Sequence, residues 1–427
     1  MRIRSLSYLL CFTVLLCLLT GCGKDKEEIK EKAVSKPISY EQLMKQWKEQ
    51  VHLDTVSCWY TNDTDKIWLE QAAQAFEEKY SAKVNLVYYD GMNFFEDLNQ
   101  ANQEAAGADV YLLGNDQLQL AKNSGMAEEN VSFDDTFWET YYPKVAKEAV
   151  TYQERQYGYP IYFDTYCLVY DAKLLEEAPA SMEEILDFLN TYENPDSTKA
   201  VFRWDVADPY VNTMFFASYA NLFGEHGDNE SEFCVNDKQS VKAMQYFQSL
   251  SAYLWMDKNN ISHDKIKSRI KDGTLVLGLC KSDILPTLYE MKEKKEETDT
   301  DYQVAYVPSL TEKLSSTTLS TTYSAFINPY GKDTALGNMF ALFLSYEYVD
   351  QQFEGNGKLP VREYRNNLDE LQSVIYAQYL NSKPVPKVAV FGDYLVESGI
   401  AFDEIWDGEE VKEQLDRLQN TIEEKIN

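Results

Sequence analysis

Histidine is scarce in this chain. Only His52, His226 and His263 occur among 427 residues, in unrelated contexts, so a histidine-based metal site is not expected. Cysteine is nearly as rare, with seven in all. Cys11, Cys17 and Cys22 lie in the N-terminal segment. Cys58, Cys167, Cys234 and Cys280 remain, and none belongs to a Cys-x-x-Cys pair. That excludes zinc ribbons and thioredoxin-type redox sites. The four read as buried or partly buried thiols, with disulfide pairing left open. Positive charge is also short: 40 Lys and Arg stand against 70 Asp and Glu, a net charge of −30. Nucleic-acid phosphates would repel such a chain, and no nucleic-acid partner is expected. Beyond the first twenty residues there is no long apolar run, so nothing further should span a membrane. Gly-x-Ser-x-Gly, His-Glu-x-x-His and Gly-x-x-x-x-Gly-Lys are all missing. Neither a cofactor nor an enzymatic activity is expected.

What is present begins at the N-terminus. Arg2 and Arg4 precede Leu6 to Leu19, which is apolar except for Ser7 and Thr13. This is the pattern of a signal peptide, too short for a stable spanning helix. It ends in Leu19-Thr20-Gly21-Cys22, which resembles a bacterial lipobox. The resemblance implies removal of residues 1–21 and acylation (palmitate) of Cys22, whose chains would hold a soluble domain at the outer face of the cell membrane. Loss of Arg2 and Arg4 takes the net charge to about −32. Residues 22–49 read as the lipidated Cys and a flexible stalk, because Gly23 to Lys36 is mostly Lys, Glu and small residues and cannot bury enough apolar surface to fold. A short helix is expected over 41–50.

From residue 50 the pattern is α/β. Asp54 to Tyr60, Lys83 to Tyr89 and Asp109 to Leu113 read as strands. The intervening Thr64 to Tyr80 and Met92 to Ala106 read as helices, the first capped by Asp63 or Thr64. Such alternation predicts right-handed crossovers and a mainly parallel sheet. Tyr157 to Phe163 and Tyr166 to Tyr170 form two β-rich runs around Asp164-Thr165. Helices resume at Ser181, Lys199 to Trp204 and Thr274 to Leu279 are isolated strands, and Glu290 to Thr300 is an exposed helix end and loop. Tyr302 to Pro308 and Thr322 to Asn328 are strands again, and the chain beyond Asp333 is largely helical. No internal repeat is found.

The order and spacing of many short segments resembles the extracellular solute-binding proteins of the maltose-binding type. They include Ala108-Asp109-Val110-Tyr111-Leu112-Leu113, Ser124-Gly125-Met126, Tyr159-Pro160-Ile161, Leu168-Val169-Tyr170-Asp171, Ser181-Met182-Glu183-Glu184-Ile185, Asp272-Gly273-Thr274, Ala305-Tyr306-Val307-Pro308, Gly357-Lys358-Leu359-Pro360-Val361 and Asp407-Gly408-Glu409-Glu410-Val411. The resemblance implies a two-domain, periplasmic-binding-protein-like α/β fold with a hinge and an interdomain ligand cleft. Residues 50–160 plus 312–360 would form the first domain and 161–311 plus 361–427 the second. It implies a monomer that captures a sugar or oligosaccharide and delivers it to ABC permease subunits. A non-sugar binder, a sensing lipoprotein and a secreted glycan-acting enzyme are the alternatives.

A sugar presents hydroxyls to carboxylates and amides, and flat C–H faces to aromatic rings. The resemblance places Asp116, Asp164, Asp208 and Tyr210 at ligand positions. Asn115 or Asp116 could instead cap the helix that follows, Asp164 could be a turn residue, and Asp208 could cap a helix opened by Pro209. Trp204 is a neighbouring candidate, and Trp59 could face the cleft or the core. Leu113 stands where the maltodextrin binder carries a stacking Trp, and Lys281-Ser282-Asp283 where it carries Gly-Pro-Trp-Ala-Trp. Lys281 and Asp283 are therefore polar ligand candidates or a helix-start pair. Tyr323 and Tyr394 are candidate replacement platforms.

Overall fold

The computed structural model describes residues 38–193, 199–294, 299–362 and 368–427. The signal peptide, Cys22 and most of the stalk lie outside the described residues. Residues 39–427 pack as one compact unit, and its interior is divided between two main sheets.

The larger sheet is built from β1 (Thr55–Tyr60), β2 (Lys83–Tyr88), β3 (Val110–Gly114) and β4 (Tyr159–Asp164). The smaller sheet takes β5 (Tyr166–Asp171), β6 (Ala200–Arg203), β7 (Leu275–Lys281) and β8 (Tyr302–Ala305). The chain then returns to the larger sheet through β9 (Leu319–Ile327), β10 (Leu359–Pro360) and β11 (Lys383–Pro384). The larger sheet runs β10-β4-β9-β3-β1-β2, with β11 beside β9, and the smaller runs β8-β5-β7-β6.

β1 pairs in parallel with both β2 and β3, as crossovers through Lys66–Tyr80 and Phe94–Gln103 require. β9 then runs antiparallel to β3 and β4, and β10 antiparallel to β4. The sheet is thus mixed rather than mainly parallel. The late strands arrive from distant parts of the chain, and local alternation carries no signal of their direction.

The chain passes between the sheets at several points, and β11 returns to the larger sheet after helix Glu370–Leu380. Thr165 alone separates β4 from β5, residues 306–318 join β8 to β9, and the segment after β10 leads to helix Glu370–Leu380 against β5 and β8. The first passage is pinned by Thr165, whose Oγ1 donates to Leu319 O at 3.1 Å and whose backbone N–H donates to Ser282 Oγ at 3.2 Å.

Helix starts follow their caps. Ser39 and Asp369 form capping boxes with Gln42 and Gln372, and Ser181 and Ser262 each accept a first-turn N–H. Helix Lys66–Tyr80 departs from expectation: Asn62 caps the 3-10 turn Asp63–Asp65 before it, and Asp65 makes no side-chain cap. Asp65 is instead buried and bonded elsewhere. Among the described residues no helix is long and apolar enough to cross a membrane. Cys58, Cys167, Cys234 and Cys280 are free thiols.

Candidate functional site

A cavity of about 160 Å³ lies where the two sheets meet, lined by Asp164, Thr165, Tyr166, Tyr210, Lys281, Thr321 and Tyr323 among others. The larger sheet supplies Asp164 from the end of β4 and Thr321 and Tyr323 from β9. The smaller supplies Tyr166 from the start of β5 and Lys281 from the end of β7. Strand ends facing a crevice are where α/β folds present ligand groups.

Each acid has its own setting. Asp164 Oδ1 lies 2.6 Å from Lys358 Nζ and accepts from Ser282 Oγ at 3.2 Å. Lys358 follows Gly357, whose φ of 72° an L side chain rarely adopts and whose added Cβ would lie 2.7 Å from Pro286. This turn delivers the ammonium to the crevice. Burial alone would lower the Lys358 pKa, but the carboxylates of Asp164, Asp283 and Asp65 outweigh it and raise it. Asp208 caps helix Pro209–Met214 through the Tyr210 N–H at 2.9 Å. Its other oxygen accepts from Tyr166 Oη at 2.9 Å and lies 3.7 Å from Lys281 Nζ. Capping and a place beside the cavity thus coexist.

Asp116 differs. It accepts from Gln117 Nε2 at 2.9 Å, and among the described residues no cation lies within ion-pair reach of it. Burial pushes its pKa up. Burial also raises the Tyr210 and Tyr323 phenols, and the nearby Asp116 charge adds to both shifts, as Asp164 does for Tyr323. The Asp116 charge is thus felt by both tyrosines, although Asp116 is not among the residues lining the cavity. The helix cap that was the alternative role for Asn115 or Asp116 is not made. Asn115 instead donates to Val385 O and accepts from the Thr322 N–H, both at 2.8 Å, which ties β3 to β9.

Behind the cavity, Tyr323 stacks on Tyr162 with centroids 4.7 Å apart. Tyr162 Oη donates to Asp65 Oδ2 at 2.6 Å, and Asn356 Nδ2 donates to Asp65 Oδ1 at 2.8 Å. Burial pushes Asp65 up to about 6, against these bonds and the Lys358 charge.

Six expected residues do not line the cavity: Asp116 and Asp208, described above, and four others. Trp204 is fully buried, its indole N–H donating to Asn212 and its ring packed on Phe215 and Trp406. Tyr394 is fully buried and shares a 2.9 Å bond with Thr213 Oγ1. Both are interior packing residues and neither lines the cavity. Trp59 is half-buried between Tyr89 and Phe94. Asp283 turns away toward His263 Nε2 at 2.8 Å and Lys267 Nζ at 3.5 Å. Burial would raise its pKa, but His263, Lys267 and Lys358 outweigh it and hold it down at about 2.

Lys358, Tyr166, Thr165, Thr321 and Ser282 belong to the site and were not singled out by sequence. Only Gly357-Lys358 carried a signal, a turn residue delivering a cation to the start of a strand. Among the described residues no cluster of three or more His, Cys, Asp or Glu could hold a metal ion.

Two sheets joined by several chain passages, with polar and aromatic groups converging between them, define a two-domain binding protein with an interdomain cleft. The profile of the bacterial extracellular solute-binding proteins matches residues 71–363, and the chain belongs to that family. A maltodextrin-binding protein of Bacillus subtilis is 21% identical over 76% of this chain and 79% of its own length. A maltotriose-binding protein of Pyrococcus abyssi is 23% identical over 42% of this chain and 39% of that protein. Among solved structures, the extracellular solute-binding protein of Staphylococcus aureus in complex with maltose superposes with a TM-score of 0.75 at 18% identity, covering 88% of this chain and 98% of that one.

Proposed function

We propose that the chain is the solute-binding lipoprotein of an ABC importer, capturing a sugar or oligosaccharide in the cleft between its domains. The observation that carries this reading is the convergence of Tyr210 and Tyr323 with Asp164 and Lys281 around one cavity between the two sheets. Rings supply faces for C–H surfaces, and the charged groups supply hydroxyl partners. The relatives named above, as binders of maltodextrin, maltotriose and maltose, support a carbohydrate ligand. A pneumococcal relative named as a maltooligosaccharide ABC transporter solute-binding lipoprotein supports the permease partner and the lipid on Cys22.

Domain boundaries near residues 160, 311 and 360 go with this reading, each close to a passage between the sheets. The cavity is smaller than the roughly 300–1,000 Å³ that encloses a drug-sized ligand, so an oligosaccharide enters by hinge opening. Hydrolysis is not part of the proposal. Asp164 is held by Lys358 and Ser282, and Asp208 by Tyr166 and a backbone N–H, which leaves neither as a free acid-base partner for the other.

A second reading rests on Asp116. A buried carboxylate whose charge reaches Tyr210 and Tyr323, with no cation within ion-pair reach among the described residues, also suits an amine-bearing solute. A thermal-shift screen of the full chain against neutral oligosaccharides, amino sugars, amino acids and polyamines separates the two. A ligand that binds only the folded state raises the melting temperature. A neutral glycan whose shift disappears in Asp116→Ala and Tyr210→Ala supports the proposal. A shift with amines alone selects the second reading.

A further inference from the structure

A second cavity, of about 590 Å³, opens on the smaller sheet at its β6 edge, apart from the cleft residues. Three groups of unusual disposition line it. Arg203, half-buried at the end of β6, donates through one guanidinium nitrogen to Phe202 O at 2.7 Å. Arg269 reaches the same cavity from helix His263–Lys271. Trp255 is 81% exposed beside them.

The arginines stand out by what they lack. Arg155 and Arg417 each hold a carboxylate, at 3.1 and 2.8 Å. Among the described residues neither Arg203 nor Arg269 has a carboxylate within ion-pair reach, in a chain with 30 more acidic than basic charges. Asp257 and Asp272 line the same cavity, but one accepts from the Asn259 N–H and the other from Ser268 Oγ. Lys265 is turned to Asn260. Burial lowers the Arg203 pKa, and the charge that adds to this is Arg269. Two like charges share one cavity with their donor forks largely unfilled. Guanidinium forks match oxyanions in a bidentate manner, and an exposed indole beside them offers a stacking face that solvent does not need.

We propose that Arg203, Arg269 and Trp255 form a second binding site, for a phosphate or sulfate group carried on a sugar. The two guanidinium groups hold the oxyanion and Trp255 stacks on the sugar ring. The site is independent of the cleft and of the solute bound there.

Calorimetric titration of the full chain with glucose 6-phosphate, glucose 6-sulfate, inorganic phosphate and glucose tests this. Saturable binding of a sugar ester is expected, at least about tenfold tighter than inorganic phosphate, and weakened at least about tenfold in Arg203→Gln and in Arg269→Gln. Trp255→Ala should weaken the sugar ester while leaving inorganic phosphate unchanged. Preference for phosphate over sulfate, or the reverse, identifies the ester. Circular dichroism of each variant establishes that it is folded, and Arg203→Lys keeps the charge while removing the fork, so it should fall between wild type and Arg203→Gln. No binding of either ester overturns the proposal. So does ester binding that survives both Gln variants and disappears in Tyr210→Ala, which would place it in the cleft. Inorganic phosphate binding as tightly as the sugar ester overturns the role of Trp255.

Discussion

Replacing Lys358 by Met should destabilise the protein through the carboxylate it leaves behind. Lys358 Nζ lies 2.6 Å from Asp164 Oδ1, and the two side chains are only 11% and 22% exposed. Without the ammonium, Asp164 keeps Ser282 Oγ at 3.2 Å as its remaining side-chain partner. Breaking a fully buried pair costs about 3–5 kcal/mol, most of it from the orphaned charge. Asp164 retains some solvent, and Met preserves the aliphatic stem, so a loss of about 2–3 kcal/mol is expected. Adding Asp164→Asn in the same chain removes the orphaned charge and should restore more than half of that loss. Urea unfolding of wild type, both single variants and the double variant supplies the coupling free energy. Following fluorescence and circular dichroism together checks that one transition is being measured. A Lys358→Met loss below about 0.5 kcal/mol would refute the reasoning, because the pair would then behave as a solvent-exposed one. A double variant no more stable than Lys358→Met would refute it as well.

Asp65 predicts a pH effect of opposite sense to that of most carboxylates. Its folded pKa is about 6, above the usual carboxylate range, so the folded state binds the extra proton and this contribution to stability falls as pH rises from about 4 to about 6. Asp65→Asn should remove that fall, seen as a flatter difference between the two stability-pH curves; identical slopes would contradict it. Trp204→Ala should cost about 3–5 kcal/mol by leaving a cavity, read by urea unfolding, without changing affinity for the cleft ligand beyond what partial unfolding explains. Tyr210→Ala should behave the other way, losing at least about tenfold in affinity by calorimetry with the ligand from the screen, with a smaller loss of stability. Cys58, Cys167 and Cys280 are buried and their thiols are pushed up in pKa by burial, Cys167 to about 12. In native buffer they should react with an aromatic disulfide reagent far more slowly than half-buried Cys234, and all should react at once in denaturant.

The sequence by itself determined the alternation of strands and helices. Val, Tyr and Cys runs bounded by caps and turns leave little choice, and β1, β2 and β3 with their intervening helices lie close to where periodicity puts them. It also determined the local role of Asp208, since an acid before Pro at a helix start caps it wherever the helix goes. The tertiary structure alone decided which aromatic rings face the cavity. Trp204 and Tyr210 sit six residues apart, yet one is sealed under Phe215 and Trp406 and the other lines the cavity. Sheet direction was decided the same way, because β9 reaches β3 and β4 only after the chain has built the smaller sheet. So was the partner of Asp164, an ammonium 194 residues away in sequence. Composition and periodicity report a residue's neighbours along the chain, whereas burial and charge pairing depend on neighbours across the fold.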